Sequence, residues 1–302
     1  MTAPPGAVRF FFVDVFAERP LTGNPLTLVP DADDLTVEQM QSIAREFNQS
    51  ETTFLLRPTK AGIDWRLRSF TPIGAEVDGA GHNALGAWLW LAASGQVGDQ
   101  PSRVMRQQIG ADVLDVEIVQ EPGARTRIVM DQSPPRFGAA LDDPEPLAAA
   151  LGLRPDEIAQ DRPAQVVSTG AAHLLVPLAD RAAVDRAVPD SARLVAVLAD
   201  AGGEGCYVFT TAAADPDDGA HAYARFFNPT MGIGEDPATG TAAGPLAATL
   251  TGSGRVGAGT PVIIEQGHRI GRPSRIQVDI DGERVRLSGG GLVVAEGRLT
   301  VP

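Results

Sequence analysis

Two short apolar helices, each directly behind a glycine-containing turn, constrain the fold of this sequence more than any other feature. The first is predicted from about His82 to Ala93, after Gly79-Ala80-Gly81, and the second from about Thr241 to Leu250, after a turn that begins at Gly232. The strands predicted around them follow the same order in both halves. A chain of 302 residues is long enough for two domains, so the sequence indicates two copies of one plan.

Patterns typical of strands surround both helices. In the first half they are Val8–Phe16, Leu26–Val29, Glu51–Leu56 and Trp65–Phe70, and in the second Gln165–Thr169, His173–Pro177, Gly205–Thr210 and Ala222–Phe227. Four further segments near the end are predicted to form an antiparallel meander: Val262–Gln266, Ser274–Ile280, Arg284–Ser288 and Leu292–Val301.

The domain boundaries follow from a Pro-rich stretch, residues 132–146, which is the predicted linker. We therefore expect an α+β protein with domains at residues 1–131 and 147–302, in which the C-terminal strand can return to the first domain.

The charge balance excludes several classes of partner. Acidic residues outnumber basic ones by 38 to 25, for a net charge of −13, and lysines and arginines form no cluster. Nucleic acids and anionic membrane surfaces both require such a cluster. The most apolar segment, residues 85–93, is about half the length that spans a bilayer. We expect neither nucleic-acid nor membrane partners.

Cysteine and histidine usage limits redox and metal chemistry. Cys206 is the only cysteine, lies in a predicted strand and cannot form an intramolecular disulfide. Residues 1–8 contain no basic region followed by an apolar one, so a cytoplasmic location is expected. The four histidines lie far apart without ligand-like spacing, so no metal is expected. Neither G-x-G-x-x-G after the first strand nor a P-loop is present.

The two helix starts can bind an anion. The first N–H groups of a helix lack partners within it, and the helix dipole adds partial positive charge there. If the two halves face one another, both N-termini can point into one cleft and hold a small carboxylate. Glycine before a helix is also common for purely structural reasons, and that alternative stays open.

Three residues near these turns can move protons. Glu51 lies between a helix end and a strand start, His82 begins the first apolar helix, and Asp236 precedes the second. The pKa of a carboxyl group rises in a water-poor cleft, where the group can serve as base and then as acid. Each also has a structural alternative, as a solvated strand end, a helix-capping residue or a turn former, respectively.

Three motifs resemble segments of the phenazine-biosynthesis PhzF-like family. They are Asn48-Gln49-Ser50-Glu51-Thr52-Thr53-Phe54, Ala80-Gly81-His82 followed by Leu85-Gly86-Ala87, and Glu235-Asp236-Pro237-Ala238-Thr239-Gly240-Thr241-Ala242-Ala243-Gly244-Pro245-Leu246. Val13-Asp14-Val15-Phe16 and Thr22-Gly23-Asn24-Pro25-Leu26 are also similar. The matches occur in the family's order and span most of the chain.

The resemblance implies a diaminopimelate-epimerase-like fold, in which each of two similar domains curls a mixed sheet around a central helix, with the active site between them. It implies a homodimeric, cofactor-independent isomerase, with trans-2,3-dihydro-3-hydroxyanthranilate as the family's best-known substrate. Glu51 corresponds to the principal catalytic residue, and His82 and Asp236 to residues that assist it. The implied substrate-binding residues are Gly81, Asn83, Gly240, Thr241 and Asn24.

Two positions depart from the family pattern. Asn83 stands where many members have Pro or Ala, and Thr241 stands where the phenazine enzyme has Ser. Neither change removes a group that handles protons. The added methyl of Thr241 narrows the pocket, so both changes bear on substrate choice.

Two other functions have to be compared with this one. An epimerase that uses one thiol on each face of its substrate needs two cysteines, and the corresponding positions here are Ala80 and Thr239. The second rival is a PhzF-like protein that binds a ligand or a partner protein with little catalysis. A single carboxylate base predicts proton relocation on one face of a small unsaturated cyclic acid.

Overall fold

In a computed structural model, the structure describes residues 6–98, 100–120, 123–211 and 219–301. Residues 1–5, which are part of the N-terminal segment 1–8 considered above, lie outside these ranges. The described residues form eighteen strands and six α-helices. The strands are β1 (Ala7–Val15), β2 (Asn24–Val29), β3 (Thr52–Leu56), β4 (Trp65–Phe70), β5 (Glu76–Val77), β6 (Ser102–Ile109), β7 (Asp112–Val119), β8 (Arg127–Gln132), β9 (Arg136–Ala140), β10 (Gln165–Ser168), β11 (Ala172–Pro177), β12 (Gly205–Thr210), β13 (Ala222–Asn228), β14 (Ile233–Asp236), β15 (Val262–Gln266), β16 (Ser274–Asp281), β17 (Arg284–Gly289) and β18 (Gly291–Thr300). The helices are α1 (Val37–Phe47), α2 (His82–Ala93), α3 (Glu145–Leu151), α4 (Arg181–Arg186), α5 (Ser191–Ala201) and α6 (Gly240–Gly252).

The chain divides into two compact units. Unit 1 comprises residues 1–131 and 288–302, and unit 2 comprises residues 132–287. The last strand lies in unit 1, where β18 pairs antiparallel with β1 along most of its length.

The Pro-rich stretch that was expected to be a linker contains a strand. Residues 136–140 form β9, which pairs antiparallel with β10 through Phe137 and Val167. Prolines at 134 and 135 precede the strand, where a missing N–H interrupts no ladder, so they do not prevent pairing of the residues that follow.

Unit 1 is built on a mixed sheet. Strand β1 is antiparallel to β2, β2 is parallel to β3, and β3 is antiparallel to β4. Strand β4 is then parallel to β6, which is antiparallel to β7. The parallel steps are connected by helices α1 and α2, as parallel strands require a crossover. Helix α2 packs against β1, β2, β3 and β18.

Unit 2 repeats the same alternation. Strand β10 is antiparallel to β11, β11 is parallel to β12, and β12 is antiparallel to β13. Strand β13 is parallel to β15, which is antiparallel to β16. The crossover before β15 contains α6, which packs against β10, β11 and β16. Helix α6 therefore occupies the place in unit 2 that α2 occupies in unit 1, and the predicted duplication is confirmed.

The two central helices are buried because they carry almost no polar side chains. The predicted range His82–Ala93 matches α2, and the second helix extends the predicted 241–250 by one residue at its start and two at its end. A β-carbon built on Gly86 would lie 2.6 Å from a methyl of Leu26, so this glycine lets α2 approach its sheet closely. None of the helices among the described residues is both long and apolar enough to cross a membrane.

Candidate active site

Glu51 and His82 meet in unit 1 at the start of helix α2. Helix α1 begins with a capping box between Thr36 and Gln39 and ends at Asn48 in the left-handed conformation. Glu51 follows this end and immediately precedes β3, while His82 is the first residue of α2. The turn that ends α1 therefore determines where the carboxylate lies along the sheet.

The pair is close and mostly shielded from solvent. The distance from His82 Nδ1 to Glu51 Oε2 is 3.9 Å, and the two side chains are 8% and 16% exposed, respectively. This distance is too long for a hydrogen bond but short enough for a strong electrostatic interaction if the imidazole is protonated. Among the described residues His82 Nε2 is buried without a hydrogen-bond partner. The structure thus brings two of the three predicted proton-handling residues together.

Asn83 is occupied in shaping the turn before α2. Its Oδ1 accepts a hydrogen bond from the Gly81 N–H at 2.7 Å, and its Nδ2 donates to the Gly79 carbonyl at 2.9 Å and to Ser69 Oγ at 3.2 Å. The side chain is buried. Asn83 and the Gly81 N–H were both predicted to contact the substrate, and here each is the other's hydrogen-bond partner.

Asn24, the remaining predicted substrate-binding residue of unit 1, begins strand β2. It is fully buried and lies opposite Val15 in the register of β1 and β2.

Asp236 lies in unit 2 at the end of strand β14 and is buried. Its Oδ2 accepts a hydrogen bond of 2.5 Å from the hydroxyl of Thr239, the residue before helix α6. The carboxylate is thereby held against the turn that leads into the helix, close to Gly240 and Thr241.

Both the nitrogen and the oxygen of the Gln266 side-chain amide form hydrogen bonds at the turn before α6. Its Nε2 donates to the Asp236 carbonyl at 2.7 Å and to Thr239 Oγ1 at 3.0 Å. Its Oε1 accepts from the Thr239 N–H at 3.1 Å and from the Tyr207 hydroxyl at 2.9 Å. Burial and, secondarily, the charge of Asp236 raise the pKa of Tyr207, which keeps its hydroxyl protonated as a donor. The amide is fully buried, so each of these bonds is shielded from water.

The acidic residue next to Asp236 has a different role. Glu235 forms a two-pronged ion pair with Arg225, with N–O distances of 2.9 and 2.8 Å. Arg225 also donates to the carbonyls of Val184 and Ala187. Glu235 therefore anchors β14, and of the two consecutive carboxylates only Asp236 belongs to the turn before α6.

Gly240 and Thr241 form the first turn of α6, although Gly240 was predicted to end the preceding turn. Gln132 Nε2 donates to the Gly240 carbonyl at 3.0 Å. The Thr241 hydroxyl lies 3.1 Å from Nε2 of His173 on strand β11. His173 is buried, and desolvation lowers the pKa of its imidazole to about 4, so the ring is neutral at physiological pH.

Sequence reasoning missed His173, Gln266 and Gln132. Each lies in or at the end of a strand, 27 to 108 positions from the nearest residue at the helix start that it contacts, with no motif around it. The available signal concerned His173, a polar side chain within an apolar strand pattern, because such a residue needs a partner when it is buried.

The duplication also places a glutamate in unit 2 at the position of Glu51. Glu204 immediately precedes β12, as Glu51 precedes β3. Glu204 is exposed, and its carboxylate accepts a hydrogen bond from the Ala172 N–H at 3.2 Å. Only Glu51 of this pair lies in a shielded environment beside a histidine.

A cavity of about 180 Å³ lies elsewhere in unit 2. Its lining includes Arg162, Arg255 and Asp161, and none of the predicted site residues. Among the described residues, no group of three or more His, Cys, Asp or Glu side chains is arranged to hold a metal ion.

Comparison with known proteins identifies the family. Residues 13–297 match the family of phenazine biosynthesis-like proteins, PhzC-PhzF. The chain belongs to this family. It is 37% identical to the trans-2,3-dihydro-3-hydroxyanthranilate isomerase of Pseudomonas aeruginosa, over 96% of this chain and 98% of that protein. The predictions of family membership and of an isomerase are confirmed.

Solved structures confirm the predicted fold. The PhzF-family phenazine biosynthesis protein of Bacillus anthracis superimposes with a TM-score of 0.88 at 28% identity, covering 97% of this chain and 99% of that one. A hydroxyproline epimerase from Agrobacterium vitis matches with a TM-score of 0.63 at 14% identity, covering 97% and 91%, respectively. The second likeness concerns the fold alone, which is the epimerase-like arrangement expected from the sequence.

Proposed function

We propose that this protein is a cofactor-independent isomerase that moves a proton, and with it a double bond, within a small unsaturated cyclic acid such as trans-2,3-dihydro-3-hydroxyanthranilate. The observation that carries the proposal is the shielded pair of Glu51 and His82, 3.9 Å apart at the start of a buried helix. The name of the Pseudomonas aeruginosa relative supports the choice of substrate.

The proposed reaction needs one carboxylate that acts twice. Glu51 takes a proton from one ring carbon, the C–H electron pair shifts the double bond, and the same carboxyl group returns a proton to another carbon. The substrate gains and loses one proton, so no oxidant or reductant is consumed. Because one base serves one face, the proton moves without inversion at a stereocentre.

The other predicted residues receive supporting roles. His82, with Nε2 buried and unpartnered among the described residues, is suited to hydrogen bonding a polar group of the substrate or passing on a proton. Asp236 and the first turn of α6 are assigned to substrate binding together with Thr241. Asn83 is assigned to holding the Gly79–Gly81 turn in place.

Thiol chemistry is a poor alternative for this chain. Cys206 is fully buried in β12, and desolvation raises the pKa of its thiol to about 12. A thiol with this pKa is not a nucleophile or base near neutral pH. Ala80 and Thr239 stand at the two positions that a pair of catalytic cysteines would occupy.

The test is exchange of substrate protons with deuterated water, followed by NMR alongside product formation from trans-2,3-dihydro-3-hydroxyanthranilate. We expect the wild-type protein to incorporate deuterium and Glu51→Gln to reduce turnover by at least about a thousandfold, because the amide cannot accept the proton. Glu46→Gln is the matched control, since Glu46 is exposed on α1 of the same unit and its replacement changes the charge identically.

Two outcomes would contradict the proposal. Substantial turnover by folded Glu51→Gln would remove the assignment of the base. Absence of exchange and turnover by the wild-type protein, with the fold intact by circular dichroism, would instead favour the ligand-binding or protein-binding alternative.

We also propose that the protein acts as a homodimer in the cytoplasm, on a small carboxylate substrate and without nucleic-acid or membrane partners. A net charge of −13 argues against nucleic-acid and membrane partners, and a single cysteine fits a reducing compartment. The homodimer is proposed from the family resemblance alone. Light scattering tests the dimer, and turnover that survives exhaustive dialysis against a chelator tests independence from metal ions.

A further inference from the structure

His173 lies beside the start of α6 and has no part in the proton transfer proposed above. It sits on β11, is 3% exposed, and places Nε2 3.1 Å from the Thr241 hydroxyl. Among the described residues, His173 is the hydrogen-bond partner of the Thr241 hydroxyl. In this hydrogen bond either His173 Nε2–H donates to Thr241 Oγ1, or the Thr241 hydroxyl donates to a bare Nε2.

The imidazole can donate through one nitrogen only. Desolvation lowers the pKa of His173 to about 4, and a neutral imidazole carries a single N–H, on Nδ1 or on Nε2. The surroundings of Nδ1 decide between the two tautomers.

Nδ1 of His173 lies beside Gly205, near the ring of Phe226. It is buried without a partner among the described residues. His173 pairs in register with Gly205, and a β-carbon built on that glycine would lie 3.3 Å from Nδ1 and 2.4 Å from Cζ of Phe226. The Phe226 ring stands nearly perpendicular to the imidazole, with its centroid 4.9 Å away. An N–H on Nδ1 would therefore be a buried donor without an acceptor, so the lack of a partner favours a bare Nδ1.

We propose that His173 carries its proton on Nε2, donates it to Thr241 Oγ1, and so leaves the Thr241 hydroxyl free to donate its own proton to the substrate carboxylate. In the opposite tautomer the Thr241 hydroxyl would donate its only proton to Nε2. The buried Nδ1–H would then have no acceptor, which costs folding free energy. His173 is then a positioning residue, acting through Thr241. The substrate contact rests on the function proposed above, whereas the tautomer does not.

The tautomer is measured by ¹⁵N NMR of the protein labelled in its histidine rings. We expect a protonated Nε2 and a bare Nδ1 for His173. Thr241→Val should shift the Nε2 signal, whereas Thr249→Val, a matched change further along α6, should not. A proton found on Nδ1 would overturn the proposal.

The consequence for binding is measured with His173→Phe, which removes the donor, and His173→Gln, whose amide retains one. We expect His173→Phe to lower kcat/KM by about tenfold to a hundredfold, mainly through KM, which is the range for one hydrogen bond to a charged group. His173→Gln should recover most of this loss. In the Thr241→Val background, His173→Phe should cost little more, because both changes remove the same interaction.

Equal losses in the Phe and Gln variants, or fully additive losses with Thr241→Val, would show a merely structural role and overturn the proposal. If the wild-type protein does not turn over the substrate, the proposed reaction fails, and titration with 3-hydroxyanthranilate, an aromatic acid of similar shape, decides the inference. A shift of the His173 Nε2 signal then supports it, and an unmoved signal overturns it. If His173→Phe does not fold, the Thr241→Val comparison and the tautomer carry the test.

Discussion

Several side chains around the two helix starts make structural contacts that their positions in the sequence do not indicate. Asn83 is the clearest case, because it departs from the family pattern and was expected to contact the substrate. Its amide connects Gly79, Gly81 and Ser69 and so organises the turn before His82, and its contact with the substrate stays a prediction. A residue that fails to match a motif can thus have a local structural reason for being there.

Replacing Asn83 by Ala should cost about 2 kcal/mol of unfolding free energy, because it leaves the buried N–H of Gly81 without its hydrogen-bond partner. Turnover should fall more than tenfold as the first residue of α2 loses its fixed position. Urea unfolding and the deuterium-exchange assay measure the two effects. The matched control is Gln41→Ala, whose amide donates to the Gly74 carbonyl away from the site, and which should leave turnover unchanged. Normal activity in Asn83→Ala would contradict the positioning role.

At the scale of elements, the start of α6 depends on residues from distant strands. Gln266 on β15 holds the turn before the helix, and Gln132 at the end of β8 holds the first helical carbonyl. The helix has no side-chain N-cap of its own, so these contacts, rather than a capping residue, hold its start in place.

Gln266→Leu should destabilise the protein by about 4 kcal/mol, since it removes four buried hydrogen bonds while nearly preserving volume. The remaining folded fraction should show impaired turnover, because Asp236 and Thr239 lose their common anchor. Thermal and urea unfolding measure the first effect, and initial rates per folded molecule the second. Gln277→Leu on β16 is the control, since its amide donates to the Asp279 side chain near the surface. A similar loss there would argue against a special role for Gln266.

Two glycines in α6 should respond oppositely to alanine. A β-carbon on Gly244 would lie 1.8 Å from Gln132 Oε1 and 2.7 Å from Thr169 Oγ1, whereas one on Gly252 would meet no atom within 4 Å. We expect Gly244→Ala to cost about 2 kcal/mol or more by displacing the Gln132 amide, and Gly252→Ala to stabilise by about 0.5–1 kcal/mol through helix propensity. Urea unfolding of both variants checks this, and equal effects would contradict the close approach.

At the scale of the whole molecule, burial of a neutral histidine links stability to pH. His173 has its pKa lowered from 6.5 to about 4 by desolvation. Between these values the unfolded chain binds the proton and the folded protein does not, so this residue makes the protein less stable as pH falls from about 6.5 to 4.

Replacing His173 by Phe should remove that dependence. We expect the loss of unfolding free energy between pH 7 and pH 4 to be about 3 kcal/mol smaller in the variant than in the wild type, which corresponds to the size of the pKa shift. Urea unfolding at several pH values, with the two curves subtracted, measures it. Parallel curves would mean that His173 titrates normally in the folded protein.

How much could be predicted from the sequence depends on the range of the interactions involved. Helix α2 was predicted to the residue, and α6 within two, because an apolar run after a glycine turn is a local signal. Strand β9 was missed because two prolines beside it indicated a linker, and its pairing with β10 involves residues about thirty positions away.

The sequence by itself determined the family, the duplicated fold and the identity of Glu51, His82 and Asp236 as candidates, because these are carried by contiguous motifs and periodic patterns. Only the tertiary structure placed His173 against Thr241, Gln266 beneath Asp236, and Asn83 across the turn before α2. The physical reason is that buried polar groups must find partners wherever the packed sheet brings them, and strand register, rather than sequence spacing, decides which groups meet.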